Sequence, residues 1–327
     1  MNVLNKIVDS DAVFVMGLPR SGSTLLSRLL NATPDILSVN DLYFLQAVLA
    51  RNAETGVLSD KHAEELTAIL LEVIGTRAHA KEEFIGQFQV SSETLRDIHK
   101  EVKERQKESP WMWHELLDRV LSLVAIAGGK QRWADKTPQN FYHFQLLADR
   151  FPVARFVFLI RDPRSILASY KFAQGEGHDA RRYHPLAYAL YWRSAIRYYQ
   201  QLKDHPRVMM LRYEDLLADT KGTCERLATF LGTEIEVPDL LALGHNSSFS
   251  KGARKGITET ETWICQRLCR QEMGLLGYEA RPASPKFSDM LGFIGLSLKF
   301  TVFHAMRTMG SPDARKRMFT FVRGLSR

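Results

Sequence analysis

Residues 11–24 read DAVFVMGLPRSGST, and this stretch decides the fold. Residues 13–16 form a short apolar run, which predicts a buried parallel strand. Residues 17–22 then form a turn with a glycine at each end, and Ser23 and Thr24 begin an apolar-periodic helix. This order gathers successive backbone N–H groups and the positive end of a helix around an anion. The stretch therefore predicts a phosphate-binding loop.

The loop departs from the Walker A pattern GxxxxGK[ST] at one position. The spacing from Gly17 to Gly22 is kept, but Ser23 stands where that pattern has the lysine that contacts the β- and γ-phosphates. The basic residue of the loop is Arg20 instead. The loop can still hold a phosphate, but a nucleoside triphosphate hydrolase or kinase is disfavoured. An ordinary turn whose glycines serve geometry alone stays open as the alternative.

The longer stretch FVMGLPRSGSTLLSRLLNATPDI resembles the 5′-phosphosulfate loop of sulfotransferases that use 3′-phosphoadenosine 5′-phosphosulfate (PAPS). Its motif pattern resembles that of the tyrosylprotein-type and bacterial branch of this family. The resemblance implies a P-loop-NTPase-like parallel sheet flanked by helices. It also implies that the 5′-phosphate of the co-substrate PAPS is bound by Arg20, Ser21, Gly22, Ser23 and Thr24.

Three further segments carry the same resemblance. RDPRSILASY, after the predicted buried strand 154–160, matches the pair that binds the 3′-phosphate, here Arg161 and Ser169. Arg254, Lys255 and Gly256, in SFSKGARKGITETETW, match part of a loop that closes over the same phosphate. Tyr213, in LRYEDL, corresponds to an aromatic residue near the adenine. The alternatives are a surface ion pair for Arg161, a solvated basic loop, and ordinary aromatic packing for Tyr213.

A second competing interpretation makes Asp162 a Walker B magnesium ligand. An arginine precedes it and the loop lacks the lysine, so this interpretation is disfavoured. No metal is expected, because the resemblance implies that adenosine 3′,5′-bisphosphate leaves without magnesium.

Sulfuryl transfer needs a group that takes the acceptor's proton and cations that stabilise charge on the leaving phosphate. Aligning ATPDILSVNDLYF on the corresponding family segment places Asp41 at the base, one methylene shorter than the family's glutamate. His143, His114 and Glu115 stay open as alternatives. Residues 136–138 are expected to form a loop, and residues 140–150 a helix. Lys136, in DKTP, and Arg20 resemble the basic residues that flank the sulfuryl group.

Composition and charge bound the rest of the interpretation. The 327 residues are 45% apolar, and the three cysteines argue against a disulfide framework. With no secretory signal pattern at the start, a cytoplasmic protein is expected. Residues 281–327 hold nine Lys or Arg against two Asp, which accounts for the whole net charge of +7. An amphipathic membrane-surface helix or docking onto protein are both open for this tail.

The sequence thus predicts an α/β protein with a sulfotransferase domain at residues 10–280 and a basic apolar tail at 281–327. A helical insert at about 41–127 is expected to bind the acceptor, which is a hydroxyl or amine on a small molecule, lipid or glycan. No nucleic-acid partner is expected, while an oligomer and a peripheral membrane location stay open. The alternatives are a small-molecule or nucleoside kinase and a non-catalytic nucleotide-binding membrane adaptor.

Overall fold

The structure is a computed structural model that describes residues 10–79, 90–172, 183–237 and 256–309. Its centre is a five-stranded sheet of order β2-β3-β1-β4-β5, in which the β1–β3, β1–β4 and β2–β3 pairings are parallel. The strands are β1 Val13–Gly17, β2 Ile36–Asn40, β3 Arg132–Lys136, β4 Arg155–Ile160 and β5 Val208–Arg212.

Helices connect the strands and follow the last of them. Before β3 lie α1 Ser23–Ala32, α2 Phe44–Ala50, α3 Asp60–His79, α4 Ser92–Glu108 and α5 Trp113–Ala127. A 3-10 segment, Pro138–His143, leads into α6 Phe144–Arg150, and α7 Pro163–Lys171 and α8 Pro185–Leu202 lie between β4 and β5. The remaining helices are α9 Tyr213–Ala218, α10 Thr220–Leu231, α11 Glu259–Leu275 and α12 Phe287–Met309.

Strand β1 buries side chains on both faces of the sheet. Val13 and Val15 belong to a core shared with apolar residues of α1 and α10. Phe14 points the other way and contacts the rings of Trp133, Phe151 and Phe156 at centroid distances of 5.5, 5.3 and 5.3 Å. A sheet buried on both faces needs layers on both sides, which is the α/β arrangement. The predicted fold class is confirmed.

The chain divides into two compact units. The first comprises residues 1–159 and 204–245 and holds the sheet core. The second comprises residues 160–203 and 246–327. In the second unit Leu167, Tyr183 and Cys265 form a buried cluster with partly buried neighbours such as Leu296. Cys224, Cys265 and Cys269 are free and buried.

Two local predictions are wrong. The sequence placed Lys136 in a loop, whereas it is the last residue of β3, paired in register with Val15 on one side and Asn40 on the other. Pairing on both sides extends this strand through residues whose polarity suggests a loop. The single helix predicted over 140–150 is instead a 3-10 turn, begun by Pro138, followed by α6.

The described part of the region between β2 and β3 is mainly helical and contains α2 to α5. The apolar part of the tail forms one helix, α12, of 23 residues. Within the described residues, none of the helices combines the length and apolar character that crossing a bilayer requires.

Candidate active site

The loop between β1 and α1 has an unusual backbone. Gly17, Arg20 and Gly22 have φ angles of 133°, 72° and 96°. The Ser21 amide donates to the Leu18 carbonyl at 3.2 Å and closes the turn. Positive φ angles at Arg20 and Gly22, on either side of Ser21, are typical of turns that present backbone N–H groups to an anion.

The beginning of α1 leaves donors for a ligand. Its N-cap is Gly22, which has no side chain to bond the first amides, and no acidic residue occupies the first turn. The Ser21 hydroxyl is fully buried and has no hydrogen-bond partner among the described residues. A buried hydroxyl without a partner is costly, and an anion at the helix start would satisfy it. These residues therefore fit a phosphate group.

The ring of Tyr213 lies close to Gly22 of the loop. It is buried in the core of the first unit, and a Cβ added to Gly22 would overlap its ring. Glycine is required there both for the positive φ and for the close approach of the ring. The structure thus supports the aromatic-packing interpretation of Tyr213, and an adenine contact stays a prediction.

Lys136 and Asp41 form an ion pair at the carboxyl end of β3. The Lys136 ammonium lies 2.9 Å from an Asp41 carboxylate oxygen, and the Asp41 amide donates to the Lys136 carbonyl at 2.8 Å. The Lys136 side chain is only 4% exposed, whereas Asp41 is 27% exposed. The structure brings these two predicted residues together, with the carboxylate as the more accessible partner.

Sequence reasoning missed a buried network behind this pair. Asp135 accepts hydrogen bonds from the Thr137 hydroxyl at 2.5 Å and the Asn140 amide at 2.8 Å. The Thr137 hydroxyl in turn accepts from the Leu42 amide at 3.1 Å. The network ties the turn that carries Asp41 to the end of β3. The signal in the sequence was the run of polar residues DKTPQN, which begins in the last two residues of a buried strand.

Asp135 makes folding stability depend on pH. Burial raises the pKa of Asp135 to about 6, and the hydrogen bonds from Thr137 and Asn140 only partly oppose this. Since an unfolded aspartate titrates near 4, the folded protein binds an extra proton between these values, and stability falls as pH rises through that window. For the wild type, this lowers the free energy of unfolding by about 3 kcal/mol between pH 4 and 7. We expect Asp135→Asn to abolish this pH-dependent decrease.

Urea unfolding of the wild type and of Asp135→Asn across this pH range measures the difference. Asparagine keeps one oxygen acceptor, and its NH₂ can donate to the Thr137 hydroxyl, so the fold is retained. Parallel stability curves for the two proteins would contradict the assignment.

Arg161 and Ser169 belong to the second unit. Arg161 directly follows β4, is largely buried, and its carbonyl accepts from the Trp192 indole at 2.9 Å. Ser169 is buried in α7. Asp162 caps α7 by accepting from the Arg164 amide at 2.8 Å and pairs with the Arg164 guanidinium at 2.6 Å. Asp162 thus stabilises the beginning of α7.

The remaining predicted residues divide into two groups. Arg254 and Lys255 lie outside the described residues, and Gly256 is the first residue described after them. Gly256 has open space around its α-carbon. In the described part of the chain, no group of three or more His, Cys, Asp or Glu is arranged to hold a metal ion.

The alternative bases have other surroundings. His114 is fully buried and lies against the rings of Trp113 and Phe151. Glu115 accepts from the Met112 amide at 3.0 Å and completes a helix capping box. Burial lowers the pKa of His143 below its usual value. Asp41 therefore stays the first candidate, as the one of the four that is ion-paired to Lys136.

The fold and the loop define an α/β protein with a P-loop-like anion-binding turn. The family model described as "Sulfotransferase family" matches residues 12–237. This chain therefore belongs to the sulfotransferase family.

Individual relatives match over shorter stretches. Nodulation protein NoeE of Sinorhizobium fredii is 28% identical over 162 residues, which are 50% of this chain and 31% of that protein. Sulfotransferase 2A6 of Rattus norvegicus is 26% identical over 152 residues, which are 43% of this chain and 51% of that protein. The matches thus span about one third to one half of the length of these relatives.

Two solved structures are also similar. The sulfotransferase domain from the curacin biosynthetic pathway aligns with a TM-score of 0.49 and 16% identity, covering 84% of this chain and all of that one. Mouse sulfotransferase SULT7A1 complexed with PAP aligns with a TM-score of 0.40 and 10% identity, covering 83% of this chain and 86% of that one.

Proposed function

We propose that this protein transfers the sulfuryl group of PAPS to a hydroxyl or amine acceptor. The observation that carries the proposal is the loop before α1, where a helix start without a side-chain cap lies next to a buried Ser21 hydroxyl that has no hydrogen-bond partner among the described residues. Family membership supports it independently. Ser23 in place of the Walker lysine favours a single 5′-phosphate over a triphosphate chain.

The proposed roles follow from position and chemistry. The loop with Arg20, Ser21, Gly22, Ser23 and Thr24 holds the 5′-phosphate through backbone and side-chain donors. The other end of the nucleotide is assigned by resemblance alone. There the 3′-phosphate is bound by Arg161, Ser169, Arg254, Lys255 and Gly256, and the adenine lies near Tyr213.

The chemical step is an in-line displacement at sulfur. The acceptor oxygen or nitrogen forms a bond to sulfur while the bond from sulfur to the bridging phosphate oxygen breaks. The acceptor's proton passes to Asp41, and the electron pair leaves with adenosine 3′,5′-bisphosphate. Lys136 and Arg20 stabilise the negative charge that grows on the leaving phosphate. Pairing with Lys136 fixes the direction of the Asp41 carboxylate.

For the acceptor, we propose only the region that binds it and its chemical class. The helical region between β2 and β3 is assigned to acceptor binding, within a domain extending over residues 10–280. Small molecules, glycans and lipids with a free hydroxyl or amine are the proposed classes. Free, buried cysteines support a reducing, cytoplasmic setting.

Calorimetry tests the proposed donor. We expect adenosine 3′,5′-bisphosphate to bind without Mg²⁺ and ATP with Mg²⁺ not to compete. We also expect Ser21→Ala to weaken this binding about tenfold, since one hydrogen bond to a charged group is lost. The unliganded variant should be at least as stable as the wild type, because the deleted hydroxyl is buried and has no partner among the described residues.

Ser27→Ala is the matched control. Ser27 is equally buried in α1, but its hydroxyl bonds the Ser38 hydroxyl at 2.8 Å. Its loss should cost about 1 kcal/mol of stability and leave nucleotide affinity unchanged. Competition by ATP with Mg²⁺ would favour the kinase alternative, and equal affinity of Ser21→Ala and wild type would remove the loop from the binding site.

A further inference from the structure

One face of helix α12 packs against other residues of the second unit. The rings of Phe293 and Phe300 each lie 5.1 Å from the His184 ring, and the Ser297 hydroxyl is 2.9 Å from His184 Nε2. Leu296 packs against the buried cluster that contains Leu167. These inward positions recur every three or four residues, so the helix is anchored along its length.

The opposite face exposes a row of apolar side chains. Ile294, Leu298 and Val302 are 63%, 66% and 49% exposed and stand four residues apart, in line along the helix. Phe287, at the start of the helix, is 80% exposed. Single exposed apolar residues are normal, whereas a continuous row marks an interaction surface. We call Phe287, Ile294, Leu298 and Val302 the apolar row.

Charge identifies the kind of partner. The segment that contains the apolar row, residues 281–327, holds the entire net charge of the protein, and residues 1–280 sum to zero. Lys299 is exposed directly beside Leu298. Apolar side chains flanked by Lys and Arg match the interface of an anionic bilayer, where both the acyl boundary and the phosphate groups are within reach.

A second copy of this chain fits the same surface less well. Pairing two rows would bring together two segments that each carry a net charge of +7, and like charges in contact oppose association. A bilayer containing anionic lipid supplies the opposite charge.

We propose that the apolar row of α12 docks in the plane of an anionic lipid surface. The helix lies along the interface, because its other face is packed on protein and is not available to lipid. The inference is independent of the proposed sulfuryl transfer, and it would place the protein where lipid-borne hydroxyl or amine acceptors are concentrated.

Flotation of the full chain with vesicles tests the proposal. With phosphatidylcholine vesicles containing 30% phosphatidylserine we expect clear binding, reduced at least tenfold on pure phosphatidylcholine or in 0.5 M salt. The double variant Ile294→Ser/Leu298→Ser should bind the anionic vesicles at least tenfold more weakly. Its thermal unfolding and nucleotide affinity should match the wild type, since both side chains are exposed.

Ile126→Ser is the matched control, because Ile126 is 64% exposed at the end of α5 in the other unit. It should bind vesicles like the wild type. Equal binding by the double variant, or no binding by the wild type, overturns the proposal. So does a wild-type dimer in sedimentation velocity that the double variant abolishes, because the row would then pair with a second copy.

Discussion

Replacing Lys136 by methionine is expected to lower kcat/KM for sulfuryl transfer by about 10²–10³-fold, the size of effect seen when one fixed charge-stabilising group is removed. The ammonium is nearly inaccessible to water, so its charge acts in a medium of low dielectric constant. Methionine keeps the length and apolar character of the stem. The Asp41 carboxylate, left without its partner, is exposed enough to be solvated.

A double-variant cycle separates a catalytic cation from a structural ion pair. Asp41→Asn alone should also lower turnover, because the amide cannot accept the proton. If Lys136 only holds Asp41 in place, Lys136→Met adds nothing to Asp41→Asn. If Lys136 also stabilises the leaving phosphate, the doubly substituted protein is slower than either single variant. Rates are measured with ³⁵S-labelled PAPS and any acceptor found by screening.

Arg132 provides the matched control on the same strand. It begins β3, as Lys136 ends it, and its guanidinium pairs with Asp35 at 3.0 Å. Arg132→Met should lower the melting temperature and leave the turnover of the folded protein unchanged. A Lys136→Met enzyme with wild-type kcat/KM would remove Lys136 from the mechanism.

The strands and the loop could be predicted because their signals are local. Residues 13–16 are apolar without interruption, as a strand buried on both faces requires. The spacing from Gly17 to Gly22 predicted the turn, but not that Arg20 would adopt a positive φ. An arginine side chain does not favour a positive φ, so the φ angle of Arg20 is set by the turn in which it lies.

The contact between Asp41 and Lys136 could not be derived from local sequence. The two residues lie 95 positions apart and meet because β2 and β3 are parallel neighbours with Asn40 opposite Lys136. Register is a property of the assembled sheet. The same reason explains the wrong loop assignment of Lys136, since its polarity indicates a loop and only pairing on both sides shows a strand. Asp135 was overlooked because no sequence motif marks it. Its burial and its hydrogen bonds from Thr137 and Asn140 become apparent only in the folded structure.

Replacing Gly17 by alanine is expected to lower the free energy of unfolding by about 3–5 kcal/mol, at the upper end of single-substitution effects. Two costs act together. The φ of 133° is a conformation that residues with a Cβ rarely adopt. The added methyl would also overlap the backbone carbonyl oxygen of Leu159, its register partner on β4. A backbone atom in a paired strand cannot move aside as a flexible side chain can.

Gly274→Ala is the control that separates this clash from a general effect of removing glycine. Gly274 lies in α11, and nothing would contact an added Cβ within 4 Å. Alanine there should raise the free energy of unfolding by about 0.5–1 kcal/mol, because it favours the helix. Urea unfolding of both variants should therefore move the midpoint in opposite directions. If Gly17→Ala unfolds at the wild-type midpoint, β1 and β4 do not approach each other as closely at Gly17 as the structure requires, and the first residue of the anion-binding turn is not held by the sheet.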